Sequence, residues 1–207
     1  NAADDEEVIK LAAEAGCIFV FIGFESIAGE ALSNYKKGVN IKAGVENYKK
    51  VVDTFHRYGI AVLGAFIIGS ESDTTEFYQR VADFLIKSDI DIFQISLLTP
   101  LPGTDFLEQL KNEGRLLYTS YPADWDKYRF SYIVHQLNGP APELIYTANN
   151  FIKNRLYSFP AYPWRLVKSF FKIKKLANWI AVYKINEGYR NAWKNSHYYA
   201  KYPSRFS

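Results

Sequence analysis

Residues 59–74 read GIAVLGAFIIGSESDT, and this stretch decides the fold. Gly59 can end a helix, because glycine tolerates the left-handed backbone of a helix C-terminus. An apolar run from Ile60 to Ile68 follows, interrupted only by Gly64. It is too short for a surface helix and too hydrophobic for an exposed strand, which is how a strand buried on both faces of a parallel sheet reads. Gly69 breaks the run. Asp73, with Glu76 three residues later, has the spacing of a capping box and predicts a new helix. The unit is strand, tight turn, helix, and in parallel α/β folds ligands bind at the carboxyl ends of such strands.

The neighbouring sequence repeats the pattern. Residues 4–15 predict a helix with acids at its start, where the helix dipole favours them. Cys17–Phe24 is a second apolar strand, ending at Glu25-Ser26. A helical turn over Glu30–Lys37 and a loop at Gly38–Asn40 lead to an amphipathic helix over 42–58, with Val45, Tyr48, Val52 and Phe55 on one stripe. The helix after Thr74 turns Phe77, Val81, Phe84 and Leu85 inward. A third strand, Ile92–Leu98, runs out into Thr99-Pro100-Leu101-Pro102-Gly103-Thr104, and a helix over 104–113 stops at Gly114. Alternating strands and helices imply right-handed crossovers and a parallel sheet. Three strands do not close a barrel. With the absence of any methionine, that leads to the expectation that further strands precede Asn1.

Composition changes after Gly114. Residues 117–142 form an irregular aromatic connector, and 143–207 predict a basic helical domain after a first unit over 1–116. In the tail Leu144, Ala148, Phe151 and Ile152 make one stripe; Trp164, Val167, Phe170 and Phe171 make a second; Leu176, Trp179, Ile180 and Tyr183 continue it. Through Glu143 there are 13 Lys and Arg against 21 Asp and Glu; from Leu144 onward 12 basic residues face Glu187 alone. Such asymmetry suggests docking of one half on the other or an anionic partner for the tail. No apolar run is long enough to span a membrane. A lone cysteine, Cys17, excludes an internal disulfide and fits a cytoplasmic setting. His56, His135 and His197 have no metal-ligand spacing, and no nucleic-acid motif accompanies the basic tail, so no nucleic-acid partner is expected.

Three strand ends carry a resemblance: Gly23-Phe24-Glu25-Ser26, the Ile67-Ile68-Gly69 strand end with Asp73-Thr74 beyond it, and Thr99-Pro100-Leu101-Pro102-Gly103-Thr104. In this order they resemble the radical S-adenosylmethionine (SAM) enzymes of the cobalamin-binding subgroup, over residues 1 to about 115. The aromatic, basic tail is more loosely similar to the domain that follows the barrel in some of these proteins. The resemblance implies an α/β fold, the C-terminal half of a partial (β/α)6 barrel with three parallel strands, followed by an α-helical accessory domain. It also implies SAM, a [4Fe–4S] cluster held by a CxxxCxxC motif in a preceding N-terminal half, and a cobalamin domain ahead of that. The cluster would cleave SAM reductively to a 5′-deoxyadenosyl radical or support methyl transfer. Cys17, one thiolate at the start of a buried strand, cannot hold a cluster.

The candidate cofactor-binding residues are Glu25, Ser26, Ile67, Gly69, Leu98 and Thr99; no catalytic residue and no metal ligand is read. A carboxylate at the mouth of a buried strand suits ribose hydroxyls or an ammonium group, and the resemblance assigns Glu25 to SAM; helix capping is the other role for Glu25 and Ser26. Gly69 lets a flat ligand such as adenine approach its backbone, or is an ordinary turn. Ile67 packs on that ligand, and main-chain groups at Leu98 and Thr99 serve its polar edge, unless Pro-x-Pro-Gly simply ends the strand. In relatives Leu-Pro-Gly follows the glycine; here Ser70-Glu71-Ser72 stands instead. The alternatives are a parallel-barrel enzyme without SAM, a non-catalytic module docking on membrane or protein through the basic tail, and a relative that kept the fold and lost the chemistry. A small-molecule or lipid substrate completes the expectation.

Overall fold

A computed structural model describes residues 5–25, 38–139 and 141–201, the side chains of 25, 38–47 and 199–200 apart. The order is α1 (Glu6–Glu14), β1 (Phe19–Glu25), α2 (Gly38–Arg57), β2 (Ala61–Ile68), α3 (Thr75–Lys87), β3 (Ile92–Leu97) and α4 (Asp105–Asn112). A 3-10 turn at Ala123–Lys127 follows, then α5 (Pro142–Tyr157), α6 (Ala161–Ile173), α7 (Leu176–Lys194) and α8 (His197–Lys201). The three strands form one parallel sheet in the order β1-β2-β3, as the spacing of apolar runs and helices predicts. The fold is α/β, with helical segments after it.

Register divides the sheet into two faces. Phe24, Val62, Phe66, Ile68 and Phe93 turn toward α2 and α3, where Tyr48, Val52, Phe55, Phe77, Tyr78, Val81 and Leu85 complete the main core. Rings organise it, with Phe24 stacked on Phe66 at 5.6 Å and Tyr48 4.5 Å from Phe24. Each such ring contributes about 1.5–3 kcal/mol by leaving water. Gly64 is what allows Phe24 to lie across β2: a Cβ there would stand 3.0 Å from the Phe24 ring. On the opposite face Ala61, Leu63 and Ile92 meet Ile173 of α6 and Val182 of α7. Helix α5 packs on α3 and brings Ile145, Ala148, Ile152 and Leu156 into the main core.

Several sequence expectations need correction. Gly38–Asn40 is the first turn of α2, not a loop, and the turn expected at Glu30–Lys37 lies outside the described residues. β1 begins at Phe19, leaving Cys17 half-buried ahead of it. Nor is β1 buried on both faces, since Phe19 and Phe21 are exposed. Asp73 does not cap α3. Thr74 does, its hydroxyl accepting from the Phe77 N–H at 3.2 Å.

In the tail the second ring stripe faces outward. Trp164, Val167, Phe170 and Phe171 are exposed, and α6 instead buries Tyr162, Arg165, Ser169 and Ile173. The cause is Asp91, at the foot of β3. Its carboxylate takes the buried His56 Nε2 at 2.8 Å, the Val62 N–H at 2.8 Å and the Ser169 hydroxyl. The carbonyl of Asp91 takes Arg165 at 3.3 Å and Asn186 at 3.0 Å. Unmet buried polar groups cost more than exposed rings gain, so polar demand sets the rotation of α6. His56, in the last turn of α2, is thus part of a buried network. Around it the basic tail meets the acidic first half: Lys168 pairs with Asp89 at 3.4 Å, Lys172 with Asp89 at 3.2 Å and Asp53 at 3.4 Å, and Arg155 with Asp83 at 2.9 Å.

Candidate functional site

The carboxyl ends of the three strands lie on one side of the sheet, away from Asp91. Their levels follow from the register: Glu25 sits opposite Phe66, and Ile68 opposite Leu97. Gly69 and Leu98 are therefore level, while Glu25 lies three residues lower, about 10 Å along the strand direction. A register shift between Gly23 and Glu25 bends the end of β1. The Phe24 carbonyl there accepts from the Tyr48 hydroxyl at 2.9 Å, which ties the strand end to α2. A ligand that reaches from Gly69 to Glu25 must be elongated. The side chain of Glu25 and all of Ser26 lie outside the described residues.

Gly69 has φ +95°, a conformation that favours glycine whatever surrounds it. A Cβ at Gly69 would stand 3.3 Å from the Ile145 side chain of α5. Close approach at this position is thus first a contact with the chain's own helix, where the sequence suggested a flat ligand. Asp73 holds the turn: its carboxylate accepts from the Gly69 N–H at 2.7 Å and the Ser70 N–H at 3.1 Å. Burial pushes the Asp73 carboxyl up from its ordinary pKa, against the two amide hydrogen bonds that hold it down. Ile67, half-buried, faces Ser96 across the ladder.

Leu98 donates its N–H to the Ile68 carbonyl at 2.8 Å, which continues the ladder one residue past β3. Thr99 is buried, and its hydroxyl returns to the Leu97 carbonyl at 3.0 Å. Among the described residues nothing bonds the Leu98 carbonyl or the Thr99 N–H. The two are opposite ends of one trans peptide and point away from each other, so a purine edge can take one of them, its amine the carbonyl or its ring nitrogen the N–H.

The Ser70-Glu71-Ser72 substitution proves to be a clamp. Glu71 pairs with Arg115, which also bonds the Gln136 carbonyl at 2.7 Å, and Glu71 accepts from the Asn138 N–H at 3.2 Å. The loop after β2 is thereby fastened to the connector. Sequence reading passed over Arg115, since its partners lie 44 and 21 residues away. His135, beside this clamp, is buried with both ring nitrogens unpartnered. Burial first, and the nearby Arg115 charge second, lower its pKa to about 4.

The cluster fits none of these residues. Cys17 lies ahead of β1, at the end of the sheet opposite Gly69, and no three His, Cys, Asp or Glu side chains among the described residues gather to hold a metal.

Fold and site together describe a parallel α/β protein whose strand ends leave main-chain groups unbonded among the described residues. No protein-family model matches the chain. It is similar to the bacteriochlorophyllide d C-12(1)-methyltransferase of Chlorobaculum tepidum, 38% identical over 62% of this chain and 26% of that protein. It is also similar to the C-8(2)-methyltransferase of the same organism, 29% identical over 86% of this chain and 38% of that protein. The hopanoid C-2 methylase of Rhodopseudomonas palustris is 32% identical over 57% of this chain and 22% of that protein. The chain thus spans well under half the length of each of these relatives. Three methyl-transferring relatives agree with the radical SAM resemblance carried by the strand ends.

Proposed function

We propose that this chain is the C-terminal part of a radical SAM methyltransferase and supplies one side of its SAM site. The Thr99 N–H would donate to an adenine ring nitrogen, with Ile67 against the ring face and the methionine end reaching toward Glu25 at the end of β1. SAM, when bound, supplies the transferable methyl group and the source of a 5′-deoxyadenosyl radical. The chain's own residues bind and orient it; the cluster ligands belong to a preceding CxxxCxxC segment. Cobalamin would come with a further domain, as in the subgroup the strand ends resemble. A small-molecule or lipid substrate fits the names of the relatives, one acting on a hopanoid and two on a bacteriochlorophyllide. The observation that carries the reading is the Thr99 N–H, which meets no acceptor among the described residues and lies next to Leu98, level with Gly69. Reconstituted anaerobically with the cluster-bearing segment, the protein should form 5′-deoxyadenosine or S-adenosylhomocysteine under reduction. Failure of the reconstituted, cluster-loaded protein to consume SAM would sink the proposal.

The exposed ring face of α6 and α7 supports a second element, contact with an anionic bilayer. Trp164, Phe171, Leu176 and Ile180 are exposed there, and Lys174, Lys175 and Lys184 have no ion pair among the described residues. Rings with adjacent free cations seat a surface on anionic headgroups. No described helix is long and apolar enough to cross a membrane. Sedimentation with phosphatidylserine vesicles at low salt should retain the protein, and Phe171→Asp with Leu176→Asp should release it; retention of the double variant would contradict the contact.

A further inference from the structure

A cavity of about 320 Å³ opens at the free edge of β3, between that strand, α5, α7 and residues 129–131. Its volume is at the small end of ligand-sized pockets, about 300–1,000 Å³. Phe93, Tyr157 and Trp193 give it flat apolar walls. Lys153 of α5 lines it, and among the described residues no carboxylate and no hydrogen-bond acceptor meets its ammonium group. Asn149, one turn earlier, is buried with its side-chain oxygen unpartnered. No Asp or Glu is part of the lining; the other titratable groups there are Arg129, already engaged with Asp126, and Tyr157, Tyr189 and Tyr198. The strand edge adds main-chain donors and acceptors in equal number. Leu97 sends its N–H outward to the Phe130 carbonyl at 2.8 Å, and strand alternation puts the Phe93 and Ile95 N–H and C=O groups on the same edge, where no strand among the described residues pairs with them.

Lys153 is half-buried, and a partly desolvated ammonium group without a counter-charge favours a ligand that supplies one. Its surroundings say what that compensation is. Among the described lining residues no acid answers the charge, and the walls are aromatic. We propose that this cavity binds a small organic anion, a flat apolar body whose single carboxylate or phosphate group is seated on Lys153. Burial alone lowers the Lys153 pKa to about 8, and a bound anion would restore it toward the ordinary lysine value. The inference does not depend on SAM, since the cavity lies at the strand edge and not at the strand ends.

Calorimetry on the full chain at pH 7 with 2-naphthoate, 2-naphthyl phosphate and neutral 2-naphthol tests it. At least one anion should bind about tenfold or more tightly than naphthol, the gain of one charge-assisted contact. Preference between the two anions separates a carboxylate ligand from a phosphate ester. Lys153→Met should erase the difference while leaving naphthol binding in place, and Lys153→Arg should keep part of it. Equal affinities for naphthoate, naphthyl phosphate and naphthol, or no binding of either anion, would overturn the proposal. So would wild-type anion affinity in Lys153→Met. Should that variant fail to fold, the Lys153 ammonium pKa followed by NMR in the wild-type chain decides: a rise on adding 2-naphthoate or 2-naphthyl phosphate supports the site, and no change under either removes it.

Discussion

At the N-terminal end of the sheet Asp91 is fully used, its carboxylate holding His56, Val62 and Ser169 and its carbonyl holding Arg165 and Asn186. At the C-terminal end, one strand length away, the Leu98 carbonyl and Thr99 N–H bond nothing among the described residues. The same three strands therefore end in a closed polar network on one side and an open one on the other. The first end ties the helical tail to the sheet and serves stability. The second leaves main-chain hydrogen-bonding capacity unused among the described residues.

Breaking the closed end should have the largest effect. Asp91→Ala leaves a buried imidazole, an amide and a hydroxyl without their acceptor, and it should cost about 3–5 kcal/mol in urea denaturation. A loss below about 1 kcal/mol would mean the network is not what seats α6. Acid should loosen the clamp beside the open end by a smaller amount. The folded-state pKa of His135 is lowered to about 4, below its unfolded value near 6.5, so the unfolded chain takes up the proton first. The stabilisation is complete above pH 6.5 and is lost as pH falls toward 4, on the order of 1–3 kcal/mol. Stability of His135→Phe should show less of this acid slope over that window; an unchanged slope would remove His135 from the account. Gly69→Ala forces a side chain into φ +95° and against Ile145, at a cost of about 1–2 kcal/mol. That value, well under the Asp91 effect, would sharpen the contrast between the ends; a neutral result would show that the turn can relax.

Periodicity made the sheet legible, because three apolar runs and their helices depend on neighbours in the chain. Strand parallelism and the place of Gly69 and Thr99 at the strand ends followed from it. What stayed hidden depends on distant partners. Asp73 and Thr74 both look like helix caps, and only the turn after β2 shows that Asp73 serves Gly69 and Ser70 instead. The ring stripe of α6 looks like core, yet Asp91, 78 residues before Ser169, turns it outward. Lys153 reads as one more cation on a basic helix; its isolation is visible only once β3, α5 and α7 enclose it.

The central claim is that the open end receives SAM through its main chain. Amide hydrogen exchange in the reconstituted, cluster-loaded protein measures this at single residues. Adding SAM should slow exchange of the Thr99 N–H, which has no partner among the described residues, and leave the Val62 N–H, already bonded to Asp91, unchanged. Unaltered exchange at Thr99 with SAM bound would contradict the account.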